Sequence, residues 1–416
     1  MSDSVTLGGH RPTLAVWQRS VSGAMALGVF VALQWNAAST ATAQDVRSQQ
    51  WYLKAMQAEK MWKVSTGKGI TVAVVDTGVD SSTRALKGQV LPGRDFANAS
   101  GDETKDDTGH GTTMAELIAG TGEGGSLKGL APDAKIIPYR VGLDGVKGRE
   151  KGALFSHADK AVRAAADSDA QIINMSFGGP PGPELGKAVE YAAKKGKIMF
   201  SSAGNEANEG NLQSYPAGYP DVAGVAGTGS DGKVSKFSSY GDEVTLAAPG
   251  EGLPGWCDAK RANYCSKQQG TSMASAVASA SAALIWSKHP DWTGNQVLRV
   301  LTKTAGLAGN EKTQSKYLGY GAVRPRLNLL EGKGDPGDPD ISPLTNEKTG
   351  PSTASAGPKS SDEKNSGKDD APDKVEVADS KSQEEDSGWL LPAGGIAAGV
   401  IVLAGCGFAV VRQRRN

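Results

Sequence analysis

The stretch Ile70-Thr71-Val72-Ala73-Val74-Val75, running straight into Asp76-Thr77-Gly78-Val79, decides the fold. Its apolar, β-branched residues show no in-out alternation, so the stretch reads as a strand buried on both faces. Gln171 to Asn174 and Lys197 to Ser201 have the same character. Around them lie helical patterns rich in alanine: His157 to Asp169, Glu184 to Lys195, and the serine- and alanine-rich Thr271 to Lys288, which reads as a long helix buried on most sides. Buried strands separated by helices indicate an α/β protein whose mainly parallel sheet is covered by helices on both faces. The 45 basic and 45 acidic side chains cancel. A neutral chain offers no electrostatic footprint for nucleic acid.

Both ends carry export and membrane signals. Arg11 and Arg19 supply positive charge ahead of the apolar run Val21 to Trp35, and small and polar residues follow to Ala41-Thr42-Ala43. That is the layout of a signal peptide ending at 43, with an uncleaved signal anchor as the alternative. From Trp389 to Val411 no residue is charged, a length that crosses a hydrocarbon core of about 30 Å. Arg412, Arg414 and Arg415 follow and mark residues 412–416 as a cytoplasmic basic tail, so the bulk of the chain faces outward as a single-pass protein of the cell membrane. Leu391-Pro392-Ala393-Gly394-Gly395 resembles a sortase signal, although glycine stands where sortases acylate threonine. Residues 331–388 are rich in Pro, Ser, Lys, Asp, Glu and Gly. Such a tract cannot bury enough apolar surface to offset its ordering entropy and is expected to be a disordered linker with a reach of about 40 Å. Cys257 and Cys265 are the exposed-side cysteines and are expected to pair in an oxidising compartment.

Three segments place reactive side chains at element ends. Asp76 directly follows the strand, where a sheet can bury a carboxylate and hold it rigid. His110 stands between Gly109 and Gly111, with a helix beginning at Thr112. Ser272, in Gly270-Thr271-Ser272-Met273-Ala274, opens the buried helix, whose backbone N–H groups and dipole favour a developing oxyanion. Each residue taken alone is commonly structural. Together, in the order Asp, His, Ser, they supply an orienting acid, a base and a nucleophile.

These segments resemble the catalytic signatures of the subtilisin-like serine proteases, over roughly residues 50–330. Asn174-Met175-Ser176-Phe177-Gly178-Gly179 resembles the family's substrate-binding strand, and Ser202-Ala203-Gly204-Asn205 the segment whose Asn completes the oxyanion hole. Tyr215-Pro216-Ala217 and Ala247-Ala248-Pro249-Gly250 match two further landmarks. The resemblance implies a three-layer subtilisin-like domain over residues 44–330 that hydrolyses protein or peptide substrates with no cofactor. Ser272 attacks, His110 shuttles the proton, Asp76 orients His110, Asn205 binds the oxyanion, and Ser176, Phe177 and Gly178 bind substrate backbone.

The chain departs from the family pattern after His110, where Thr112-Thr113-Met114-Ala115-Glu116 replaces a second histidine and a Val-Ala-Gly pattern. It departs again at Ala276, where a proline is usual. Neither position carries the chemistry; both put local packing in question. His157 and His289 read as structural, and His10 belongs to the signal. The acidic run Asp102 to Asp107 reads either as a calcium site or as a solvated loop. Signal, peptidase domain, linker, membrane helix and basic tail together resemble the mycosins, membrane-anchored subtilases of type VII secretion. The few residues between the cleavage site and Trp51 leave no room for a chaperone propeptide, which agrees. Two functions follow: a processing endopeptidase acting near the membrane, or a structural subunit of a type VII secretion complex with proteolysis secondary.

Overall fold

Side-chain alternation along one strand builds two cores at once. The computed structural model describes residues 46–143, 155–306 and 314–349, together with Ser4. The signal segment, the tract beyond 349, the candidate membrane helix 389–411 and the basic tail lie outside the described residues. Two short helices, α1 (Trp51–Ala55) and α2 (Ala58–Met61), precede β1 (Thr71–Asp76). Then come β2 (Arg94–Asp95), α3 (His110–Ala119), β3 (Lys135–Arg140), β4 (Gly142–Leu143), β5 (Phe155–Ser156) and α4 (Ala158–Ala166). The centre of the chain gives β6 (Ile172–Met175), α5 (Pro183–Lys194), β7 (Ile198–Ser202), β8 (Ala223–Thr228) and β9 (Val244–Pro249). A hairpin of β10 (Glu251–Trp256) and β11 (Tyr264–Gln269) leads into α6 (Thr271–Lys288), followed by α7 (Gly294–Lys303) and α8 (Pro325–Glu331).

Seven strands form a parallel sheet in the order β2-β3-β1-β6-β7-β8-β9. On β1, Val72 and Val74 join the core under α3, α6 and α7, whereas Ala73 and Val75 join the core under α4 and α5. Both faces are therefore covered, which is why the strand shows no polar alternation. Each fully buried valine contributes about 1.5–3 kcal/mol. The strongly buried α6 has small residues along most of its length, and these let the sheet approach closely. Ser275 and Ser279 satisfy their hydroxyls by donating to Asn174 Oδ1 on β6 at 2.9 and 3.1 Å. Ala276 is fully buried within this unbroken helix.

The tract expected to be disordered from Glu331 is ordered further than that. Glu331 closes α8, and residues up to 349 pack along α7. The Arg299 guanidinium donates to the carbonyls of Pro336, Asp338 and Ile341, and Asn295 Nδ2 to Pro339 O and Thr349 Oγ1. Side-chain donors from α7 thus replace the apolar burial that the segment's composition lacks. Among the described residues, no helix is long and apolar enough to cross a membrane.

Candidate active site

Chain direction diverges at β1. The chain passes from β1 to β2 and β3 on one side, while β6 lies on the other. In open parallel sheets the crevice at such a switch, beyond the C-terminal strand ends, is where ligands bind. Asp76 ends β1 there, Ser176 follows β6, and Asn205 follows β7.

The Asp76 side chain is only 1% exposed. Its Oδ1 accepts the Thr77 N–H at 2.8 Å and meets His110 Nδ1 at 2.7 Å. An ionised carboxylate only accepts, so the shared proton belongs on Nδ1 and Nε2 carries the lone pair. That tautomer suits a general base. The imidazole is 37% exposed and so reaches the crevice.

The approach of His110 to Asp76 is enforced locally. A Cβ at Gly111 would lie 2.3 Å from Gly78 O and 3.0 Å from Asp76 Cβ, so only glycine lets α3 come this close. Gly109 precedes the helix with φ +79°, a left-handed conformation that glycine adopts without strain. Asp106 staples the turn. Its Oδ1 accepts from Thr108 N, Gly109 N and Thr77 Oγ1, and its Oδ2 from Thr112 N and Oγ1, at 2.7–3.0 Å. Burial pushes this carboxyl up, but the donors, led by Thr112, outweigh it and leave its pKa below the ordinary value. Neither expectation for the acidic run foresaw this buried cap. Asp107, its neighbour, pairs with Arg140 at 3.0 Å.

Ser272 is the second residue of α6. Its Oγ donates to the Ser176 carbonyl at 3.0 Å, and Ser176 Oγ donates back to Ser272 O at 3.0 Å. Asn174 Nδ2 in turn donates to Ser176 Oγ at 2.8 Å, so the nucleophile's strand and helix are locked together. Asn205 is tied to the same helix start: its Oδ1 accepts from Thr271 N–H at 2.9 Å and Thr271 Oγ1 at 3.1 Å. With Oδ1 held by the residue before Ser272, Nδ2 is the donating end of the amide. Phe177 and Gly178 continue from β6, and Ser202 Oγ donates to Phe177 O at 3.0 Å. The other two described histidines are engaged elsewhere. His157 Nδ1 meets Phe96 O at 3.1 Å, and His289 Nε2 meets Asn328 Oδ1 at 3.1 Å.

Cys257 and Cys265 form the expected disulfide, which closes the β10–β11 hairpin. The departures after His110 are what receive this hairpin. Thr113 Oγ1 donates to Gly109 O at 2.7 Å and accepts the Trp256 N–H at 3.0 Å. Glu116, fully buried on α3, accepts Trp256 Nε1–H at 3.1 Å and Tyr264 Oη–H at 2.8 Å. The sequence signal for it was a glutamate inside the apolar run Met114 to Ile118. Burial pushes its pKa up from the ordinary 4.5 to about 7, against the pull of the Tyr264, Thr83 and Trp256 hydrogen bonds.

That shift has a sign for stability. Between pH 4.5 and about 7 the folded chain holds a proton on Glu116 that the unfolded chain has lost. Stability therefore falls as pH rises through this window, by on the order of 3 kcal/mol, and is flat from this cause above it. Glu116→Gln keeps an acceptor for Trp256 and turns its amide toward the Tyr264 oxygen. Denaturant midpoints are expected to show the variant gaining on wild type from about pH 5 to about pH 8; parallel curves would contradict the assignment.

Comparison with known proteins decides the family. The subtilase family model matches residues 67–321. The chain belongs to the subtilase family. It is a serine endopeptidase, and the α/β architecture described above is the subtilisin-like one. This subtilase is 35% identical over 251 residues to the major intracellular serine protease of Bacillus subtilis (strain 168), covering 58% of this chain and 76% of that one. Similar solved structures include MycP1 from Mycobacterium smegmatis, with TM-score 0.59 and 28% identity over 71% of this chain and 88% of that one. MycP3 protease from the type VII (ESX-3) secretion system follows, with TM-score 0.57 and 30% identity over 68% and 88%. The subtilase thus has mycosins among its structural neighbours.

Proposed function

We propose that this subtilase hydrolyses exported proteins through Asp76, His110, Ser272 and Asn205. The observation that carries the assignment is the 2.7 Å contact between His110 Nδ1 and the buried Asp76 Oδ1, at the sheet end where Ser272 opens α6. An extended substrate lies along Ser176, Phe177 and Gly178. The Ser272 hydroxyl leaves the Ser176 carbonyl, gives its proton to His110 Nε2 and attacks the scissile carbonyl. The oxyanion is met by the Asn205 amide and the Ser272 backbone N–H, aided by the α6 dipole. His110 then protonates the leaving amine, and water releases the acyl group by the reverse sequence. Asp76 stabilises the imidazolium throughout.

In the same proposal residues 1–43 direct export, and the tract beyond 349 links the peptidase to the membrane helix 389–411 and its basic tail. The length of the uncharged run and the arginines behind it support this topology. The origin of the MycP3 neighbour, a type VII secretion system, supports a place beside such machinery, as processing enzyme or as subunit. Truncation before Trp389 is expected to convert the protein from membrane-bound to released with peptidase activity retained. Retention of the truncated form at the membrane would show a second anchor. Mass spectrometry of surface and secreted proteins, wild type against Ser272→Ala, separates the two roles: a processing enzyme leaves uncleaved substrates in the variant, and a structural subunit leaves none.

A further inference from the structure

The β10–β11 hairpin is fastened to the histidine-bearing helix at several points and runs directly into the nucleophile. On one side, Trp256 N–H donates to Thr113 Oγ1 in the first turn of α3. Gly109 packs so closely on the hairpin that a Cβ there would lie 2.9 Å from Asp258 O and 3.1 Å from Trp256 Cβ. At the tip, Arg261 Nε pairs with Asp80 at 2.8 Å and Nη1 donates to Asp106 O at 2.8 Å, in the loop that ends at His110. At the base, Trp256 and Tyr264 are cross-strand partners whose rings stack 3.8 Å apart, and the Cys257–Cys265 disulfide adjoins them. Both aromatic donors converge on a single buried group, Glu116, one oxygen each. Three residues beyond β11 stands Ser272.

From this convergence we infer that Glu116 is a positioning residue for catalysis. Its carboxyl group fixes the disulfide-closed hairpin on α3 and so sets His110, on that helix, against Ser272, which the hairpin leads into. A buried polar group is retained only where its hydrogen bonds are made. Here each carboxyl oxygen takes one donor from the hairpin, Trp256 on one and Tyr264 on the other. Misplacement of reacting groups by about 1 Å costs about a hundredfold in rate, whereas binding of a substrate depends on surfaces that Glu116 does not reach. The effect of removing it therefore falls on the reaction step.

The inference rests on the peptidase reading, and the test separates the two. The purified full-length chain is reacted with a fluorophosphonate, with kinact and KI measured well below the unfolding temperature. Glu116→Ala is expected to lower kinact by about tenfold or more with KI within about twofold, and Glu116→Gln to restore kinact to within about threefold of wild type. Tyr264→Phe, which deletes one hydroxyl and leaves the ring stack, falls between them and adds little in the Glu116→Ala background. Variants labelled at the wild-type kinact, with only a lowered unfolding midpoint, overturn the positioning role and leave the peptidase standing. If Glu116→Ala does not fold, Tyr264→Phe decides: an unchanged kinact overturns the role. Wild type that fails to label at Ser272 overturns the peptidase reading itself, and this inference with it.

Discussion

Replacing Ser272 by alanine is expected to lower peptidase turnover by about 10⁶-fold, to the residual rate that binding and oxyanion contacts sustain alone. The loss is this large because the attacking atom itself is removed, and the neighbouring hydroxyls of α6 are committed elsewhere. Ser275 and Ser279 lie further along α6, and their hydroxyls are spent on Asn174 inside the core. Thr271 Oγ1 is occupied by Gly204 O and Asn205 Oδ1. The substitution removes one donor from the Ser176 carbonyl and keeps the helix start, since Ser176 Oγ still reaches the backbone carbonyl of residue 272. Stability is expected to change by about 1 kcal/mol or less, a single hydrogen bond's worth. A hydrolysis assay beside a melting curve checks both: large kinetic loss with a near-unchanged midpoint.

Asn205→Ala is expected to lower turnover by about 10²–10³-fold with little change in KM. The amide oxygen is held by Thr271, so the group is preorganised: its nitrogen presents donors before any oxyanion forms and pays no reorganisation during the reaction. Because charge on the substrate oxygen grows only in the transition state, the donor acts there and not on the bound ground state. Steady-state kinetics separate these. A raised KM with unchanged turnover would give Asn205 a ground-state role instead. The substitution also frees the Thr271 N–H, so a small stability loss accompanies it, by about the value of one neutral hydrogen bond.

The architecture was legible where burial acts on both faces of an element. β1, β6 and β7 each feed two cores, so their sequences lack the alternation of a half-exposed strand, and their boundaries fall within a residue of expectation. The helix Thr271 to Lys288 was legible because its residues are nearly all buried. The helix after His110 begins two residues earlier than its pattern suggests, because Gly109 and Asp106 supply its start from outside the apolar periodicity. β8 and the β10–β11 hairpin escaped because Ala223-Gly224-Val225-Ala226-Gly227-Thr228 and Glu251 to Trp256 are rich in glycine, which carries little strand signal.

The site was legible in part for a different reason. Asp76, His110 and Ser272 stand in short local signatures, whereas Glu116 and Asp106 act through tertiary contacts. The donors to Glu116 are 140 and 148 residues away, and no local pattern announces them. The order beyond Glu331 was missed for the same reason. A polar segment held by Arg299 and Asn295 through backbone carbonyls has the composition of a disordered one.

The most direct test of the central claim is covalent. The full-length chain is treated with a fluorophosphonate, digested, and mapped by mass spectrometry, with Ser272→Ala and His110→Ala in parallel. Wild type is expected to carry one adduct, on Ser272, with labelling abolished in Ser272→Ala and slowed by several orders of magnitude in His110→Ala. A folded wild-type chain that carries no adduct, or carries it on another residue, would contradict the assignment of Asp76, His110 and Ser272 as its catalytic triad.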